Sequence, residues 1–171
     1  MRCRFALVLA LAALALPSAG RAAESFGVSN EVLLTVKGKV VDLTCELTHE
    51  CVPNCGAGKR QLGLLTSEGK LFVAAKSSTI FAGLAHDLIA SCGQEIIADG
   101  LTTTNFGSTL LMIQRFKTAE NADWIEANKF AADWARLHST DPAGKQTEEW
   151  YRNDWVVKRA VAQHGQTGVP E

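Results

Sequence analysis

The sequence predicts a mainly β fold with helical additions, and three observations predict it. Runs rich in Val, Leu and Ile recur between residues 31 and 116, at strand length and separated by turn-forming residues. Between the third and fourth of these runs the apolar spacing changes to that of a helix. Beyond residue 117 the pattern is helical throughout, and all four tryptophans lie there. Five strands with one helix between the third and fourth is the order of an OB-fold, a small partly closed barrel. An open antiparallel sheet crossed by a helix, or another small barrel, would fit the same order less directly.

The first element is an address rather than a fold. Met1, Arg2, Cys3 and Arg4 make a cationic start, residues 5–16 are twelve apolar residues, and small residues follow up to Ala23. That is the layout of a secretory signal peptide with its cut after Ala22 or Ala23. Twelve apolar residues fall short of the roughly 20 needed to cross a bilayer. The expected organisation is therefore a leader over 1–22, an OB-fold-like barrel over 24–117 and a helical, Trp-rich extension over 118–171. Losing Arg2, Arg4 and Arg21 takes the 17 basic residues to 14 against 18 acidic, a charge of −4, and losing Cys3 leaves four of the five cysteines. Export to the periplasm or beyond, with no membrane anchor after cleavage, is the expected localisation.

Residues 31–47 read as one long strand, broken by Gly38, where a bulge or bend is expected. Residues 61–65 and 70–75 flank a turn at 66–69 and read as a hairpin. Ser77, Ser78 and Thr79 offer caps for a helix whose apolar side is Ile80, Phe81, Leu84 and Leu88, with Gly93 to end it. Residues 95–101 and 108–116 form the last strand pair. In the extension, 121–138 and 147–164 read as two helices separated by a breaker at 139–144, and 165–171 as a frayed tail. Apolar stripes at this spacing ordinarily face a core. Tyr151 and Trp155 lie off the stripe of Trp150, Val157 and Val161, so Trp150, Tyr151 and Trp155 are the candidate partner-binding residues, for a periplasmic protein.

The chemistry is concentrated in residues 42–56, where Cys45, His49, Cys51 and Cys55 fall close together, with Cys92 as the fourth thiol. Three readings compete. An even number of cysteines in an exported chain favours disulfides, and four allow three connectivities. The preferred one joins Cys51 to Cys55 locally and Cys45 to Cys92, tying the helix to the first strand. Alternatively Cys45, His49, Cys51 and Cys55 supply four thiolate and imidazole ligands suited to Zn or Cu. The third reading is thiol–disulfide exchange with Cys51 as nucleophile and Cys55 as resolving thiol, although Glu46 and Glu50 would oppose the thiolate it needs.

Gly38-x-Val40-x-Asp42-x-x-Cys45, then His49-x-Cys51 and Cys55, then Gly63-Leu64-Leu65 and Gly69-x-Leu71, resemble a group of small exported bacterial OB-fold-like proteins. The resemblance spans residues 36–116, implies the barrel and export, and implies no reaction. His49 stands closer to Cys51 here than in that pattern.

Elsewhere the chemistry is sparse. His86 faces away from the apolar side of its helix, and His138 and His164 lie on or beside stripes, where a satisfied imidazole is the ordinary case. Asp42 is expected to cap the turn after the first strand or to orient His49. Asp87 and Asp99 have no neighbouring carboxylate in sequence, so no paired-acid hydrolase is suggested. Hydrolase and phosphate-loop motifs are absent from the sequence. The acidic balance and the few barrel aromatics disfavour nucleic acid. The expectation is a non-enzymatic accessory or binding protein, carrying either a metal at its Cys/His cluster or a disulfide-stapled interaction module.

Overall fold

A computed structural model describes residues 22–27, 29–76 and 83–165. The expected leader up to Arg21, the expected caps Ser77, Ser78 and Thr79 with Ile80 and Phe81, and the expected tail from residue 166 lie outside the described residues. Strand β1 (Val32–Asp42) runs into a short helix α1 (Leu43–Thr48) and a 3-10 segment (Pro53–Gly58). The hairpin β2 (Leu62–Leu65) and β3 (Leu71–Lys76), the helix α2 (Leu84–Leu88) and the hairpin β4 (Glu95–Asn105) and β5 (Ser108–Lys117) follow.

β1 serves two partners. Its residues from Val32 to Lys39 pair antiparallel with β4, and those from Lys39 to Asp42 pair antiparallel with β2. Gly38 stands where the partner changes, and a Cβ there would meet Leu64 Cγ and Leu65 O, each at 2.9 Å. Close backbone approach therefore requires glycine at the bend, which is what the break in the apolar run signalled. A parallel pairing of β3 with β5 closes the ring β1-β2-β3-β5-β4. This is the predicted OB-fold-like barrel, and its order follows from the sequence order of strands and helix. A second tight point is Gly100, where β4 shifts register against β5 and a Cβ would collide with Met112 O at 2.1 Å.

Val40, Leu62, Leu64, Phe72, Ile96 and Ile113 fill the interior, and Leu84 and Leu88 of α2 join the same cluster. Burying each such side chain contributes about 1.5–3 kcal/mol relative to exposure.

Past β5 the chain adds to the barrel before it becomes helical. Ile125–Glu126 forms a short strand β6 paired with Phe116 and Arg115. The first predicted helix of the extension therefore starts later than its apolar spacing suggests, as α3 (Lys129–His138). The second is three pieces, α4 (Lys145–Glu148), α5 (Trp150–Asn153) and α6 (Trp155–His164). Asp154 makes the last break: its backbone is extended, and its carboxylate accepts from Val156 N and Val157 N as the N-cap of α6.

α3 is fastened against α2. Asp87 is buried, pairs with the buried Lys76 Nζ and accepts from Phe130 N at 3.3 Å. Gly83 stands so close to Phe130 that a Cβ would lie 2.3 Å from Phe130 Cβ. On the outer side Asp133 binds Lys129 Nζ and, at 2.9 Å, His86 Nε2. Hydrogen bonds from Lys129 first, and then His86, hold the Asp133 carboxyl down at about 2. His86 is thus an outward-facing, paired residue.

Candidate functional site

The cysteine cluster lies at one pole of the barrel, where β1 gives way to α1. Asp42 creates that transition. It is 4 % exposed, and its Oδ1 accepts from Thr44 N at 2.9 Å and Cys45 N at 3.2 Å, starting the helix where the strand pattern continues into Leu43. Its Oδ2 accepts from Arg60 Nη1 at 3.1 Å, and the same Nη1 donates to Glu50 O at 2.7 Å. One aspartate therefore holds both ends of the loop, and it caps the turn instead of orienting His49. Arg60 was not among the residues singled out in the sequence; a lone arginine after a Gly-rich loop carries no spacing signal.

Disulfides join Cys45 to Cys51 and Cys55 to Cys92. The sequence preference for Cys51 with Cys55 and Cys45 with Cys92 is corrected by this pairing. The physical reason lies in the two local structures. α1 spans Leu43–Thr48, and His49 ends it in a left-handed conformation (φ 63°), its N–H bonded to Cys45 O, which turns the chain back on itself. Cys45 and Cys51 are thereby brought to a Cα separation of 4.4 Å. After Pro53, residues 54–57 all adopt left-handed φ between 47° and 72°, a run that turns Cys55 inward to 7 % exposure. Asn54 and Gly56 tolerate this conformation, whereas for Cys55 and Ala57 it costs about 1–2 kcal/mol each. Gly56 lies under Arg60, whose Cγ would be 2.7 Å from an added Cβ.

This bonding decides what the cluster can do. All four sulfurs are in disulfides, so none is the thiolate that Zn or Cu would need. The proposed ligand set of Cys45, His49, Cys51 and Cys55 is not assembled, and among the described residues no three His, Cys, Asp or Glu side chains are grouped to hold a metal. Cys51 and Cys55 belong to different bonds, so they do not form a nucleophile–resolver pair. His49 is solvent-exposed. What remains is an open depression of about 190 Å³ bordered by Lys39, Glu46, Val52 and Asn54, with Cys45 and Cys92 in its wall. The two bonds differ in setting: Cys51 is exposed, whereas Cys55 is part of the barrel core.

The aromatic candidates of the extension separate into two groups. Trp134 is buried, stacks on His138 at 3.9 Å and donates from Nε1 to Asp154 Oδ2 at 3.1 Å. That indole N–H, then the backbone N–H groups of Val156 and Val157 and nearby His138, hold the Asp154 carboxyl below the usual carboxylate range, against the opposing effect of burial. Trp150 is half-buried with its ring edge-to-face on Phe130 at 5.3 Å, and so belongs largely to the packing between α3 and α5. Tyr151 and Trp155 are 45 % and 59 % exposed. Arg152 stacks over Tyr151 at 5.7 Å and Arg159 over Trp155 at 4.7 Å. α6 has no buried residue, and Val156 and Val161 are exposed on it as well. Among the described residues no helix is long and apolar enough to cross a membrane.

No protein-family model matches the chain, and no curated protein or solved structure matches it either.

Proposed function

We propose that the chain is an exported, disulfide-stapled binding module without catalytic activity, which docks on a larger protein through α5 and α6. The carrying observation is that α6 has no fully buried residue, Val157 alone being half-buried, while it presents Trp155 under Arg159, next to Tyr151 under Arg152. Trp, Tyr and Arg are the residues that dominate binding energy at protein interfaces, and rigid aromatic side chains lose little entropy on docking. Residues 150–164 carry Arg152, Lys158 and Arg159 against a single acid, Asp154, whose carboxylate is engaged as a cap. The complementary partner is an acidic protein surface with an apolar recess for the Trp155 ring. Two disulfides in a small barrel support export, because such bonds persist in oxidising compartments. The resemblance of residues 36–116 to small exported bacterial OB-fold-like proteins points the same way.

The test is a photo-crosslinking amino acid placed at Val156 in cells that export the protein, with crosslinked species identified by mass. One dominant acidic partner, lost when Trp155→Ala and Arg159→Ala are added, is expected. Crosslinks to the chain itself or to lipid, or none above those from a probe at Glu68 on the β2–β3 turn, would reject the docking assignment.

A further inference from the structure

The barrel's outer face holds an arrangement that neither the cysteine pole nor the aromatic face explains. Asp99, 5 % exposed, sits on β4 beside the register shift at Gly100. Three donors converge on its carboxylate. Thr35 Oγ1 reaches Oδ1 at 2.9 Å, Arg115 Nε reaches Oδ2 at 2.8 Å, and the backbone nitrogen of Ala23 reaches the same Oδ2 at 3.1 Å. Ala23 is itself buried, at 8 % exposure, while Ala22 is exposed. The next residue is clamped on both backbone groups by one side chain: Glu24 N donates to Gln114 Oε1 at 2.9 Å, and Gln114 Nε2 donates to Glu24 O at 2.6 Å. Among the described residues, burial and fixed hydrogen bonds therefore begin at Ala23, beside a cavity of about 310 Å³ bordered by Ala22, Glu24, Gln114, Arg115 and Glu126.

That starting point coincides with one of the two candidate cuts. A leader-removing peptidase reads small side chains one and three residues before the bond it cuts. A cut after Ala22 presents Ala22 and Gly20 at those positions, whereas a cut after Ala23 presents Ala23 and the large cation Arg21. Resting on the export reading above, we infer that the bond hydrolysed is the one between Ala22 and Ala23, and that the α-ammonium it creates seats on Asp99 as a buried ion pair. Water supplies the hydroxyl to the Ala22 carbonyl carbon and a proton to the Ala23 nitrogen, and the resulting amine takes up a second proton, matched by the one released when the new Ala22 carboxyl ionises. A neutral amide donor becomes a charged one at the same atom, and charge-assisted hydrogen bonds are about twice as strong as neutral ones. Because Ala23 is buried once the barrel forms, cleavage precedes closure of this face. Removing the leader is then also a folding step, since it supplies the third member of a cluster with Asp99 and Arg115.

Two measurements test this. The first is the intact mass and first residue of the protein recovered from the periplasm after expression of the whole chain. Ala23 as the first residue is expected. An exported chain beginning at Glu24 or any other residue overturns the assignment and leaves the export reading standing, whereas a full-length chain retained in the cytoplasm overturns both. The second compares denaturant unfolding of three purified disulfide-bonded forms, one beginning at Ala23, one at Ala22, and the Ala23 form acetylated on its α-nitrogen. The folding equilibrium constant of the Ala23 form is expected to exceed the other two by about tenfold, the size of one charge-assisted hydrogen bond. In Asp99→Asn the three forms become equal. Equal stabilities in the wild-type background would refute the ammonium's role, without dependence on whether Asp99→Asn folds.

Discussion

Two helices of this protein are opened by the same device and then treated differently. Asp42 caps α1 and Asp154 caps α6, each through one carboxylate oxygen accepting from the two backbone N–H groups that lie two and three residues on. α1 is then pinned by a disulfide and by Arg60, which returns to its cap. α6, with ten residues, buries none of them and is tied at its start, where Trp134 donates to the capping carboxylate. A cap fixes where a helix starts, while burial or a covalent bond decides whether the helix is held to the body. The barrel end is built to keep its shape, and the C-terminal end keeps its apolar surface outside.

Substitutions at the two ends test that contrast. The largest effect belongs to Cys55→Ala with Cys92→Ala. The bond they form spans 37 residues, and its loss should cost about 4 kcal/mol in denaturant unfolding by chain-entropy reasoning. Losing the bond from Cys45 to Cys51, which spans 6, should cost about 2 kcal/mol and leave the barrel's circular dichroism unchanged. If the shorter bond proved the more costly, the pole rather than the core would be the seat of stability. Asp154→Ala should cost about 1 kcal/mol and lower the helicity of α6, read by exchange of its amide hydrogens. The same end should respond to acid. Asp133 and Asp154 both have lowered carboxyl values, so their contribution is complete above the ordinary value of 3.8. For Asp133 it is lost as pH falls through about 2. Trp134, which donates to Asp154, should therefore change its fluorescence only below pH 3.8, as that carboxylate is protonated, and no change on acidification would mean that Asp154 does not hold the helices. The smallest effect on folding is expected from Trp155→Ala, within about 0.5 kcal/mol, because its ring is exposed. The same substitution should remove partner crosslinking, and a large loss of stability would show that the ring packs within the molecule.

The barrel was legible because its signals are local and repeated. Apolar runs at strand length, Gly38 at a bend and helical spacing before Leu88 each point to one element, and their order fixes the ring. What misled the reading was an aspartate inside a continuing apolar pattern. Asp42 between Val41 and Leu43, and Asp154 beside Trp155, look like polar interruptions of one element, whereas each ends that element and starts a helix. The first error carried straight into the disulfides. With Leu43 and Cys45 on an extended strand, Cys45 points along the barrel towards Cys92; with them on α1, Cys45 meets Cys51. Nothing in the spacing foretells four successive left-handed residues after Pro53, because Asn54 and Gly56 tolerate that conformation but Cys55 and Ala57 do not favour it. The ion pairs of Asp87 and Asp99 were equally hidden, since their partners Lys76 and Arg115 lie on other strands or far along the chain.

The observed disulfide pairing also bears on how the chain is oxidised. Cys45 bonds to the next cysteine made, and Cys55 to the next after that, so the two covalent loops neither cross nor enclose one another. An oxidant that meets the polypeptide as it is threaded N-terminus first, joining each thiol to the first free one to appear, arrives at the native connectivity without a shuffling step. Either alternative pairing would require an earlier sulfur to wait while a later one was matched. For the exported chain proposed above, the order in which Cys45, Cys51, Cys55 and Cys92 emerge therefore agrees with the final bonding.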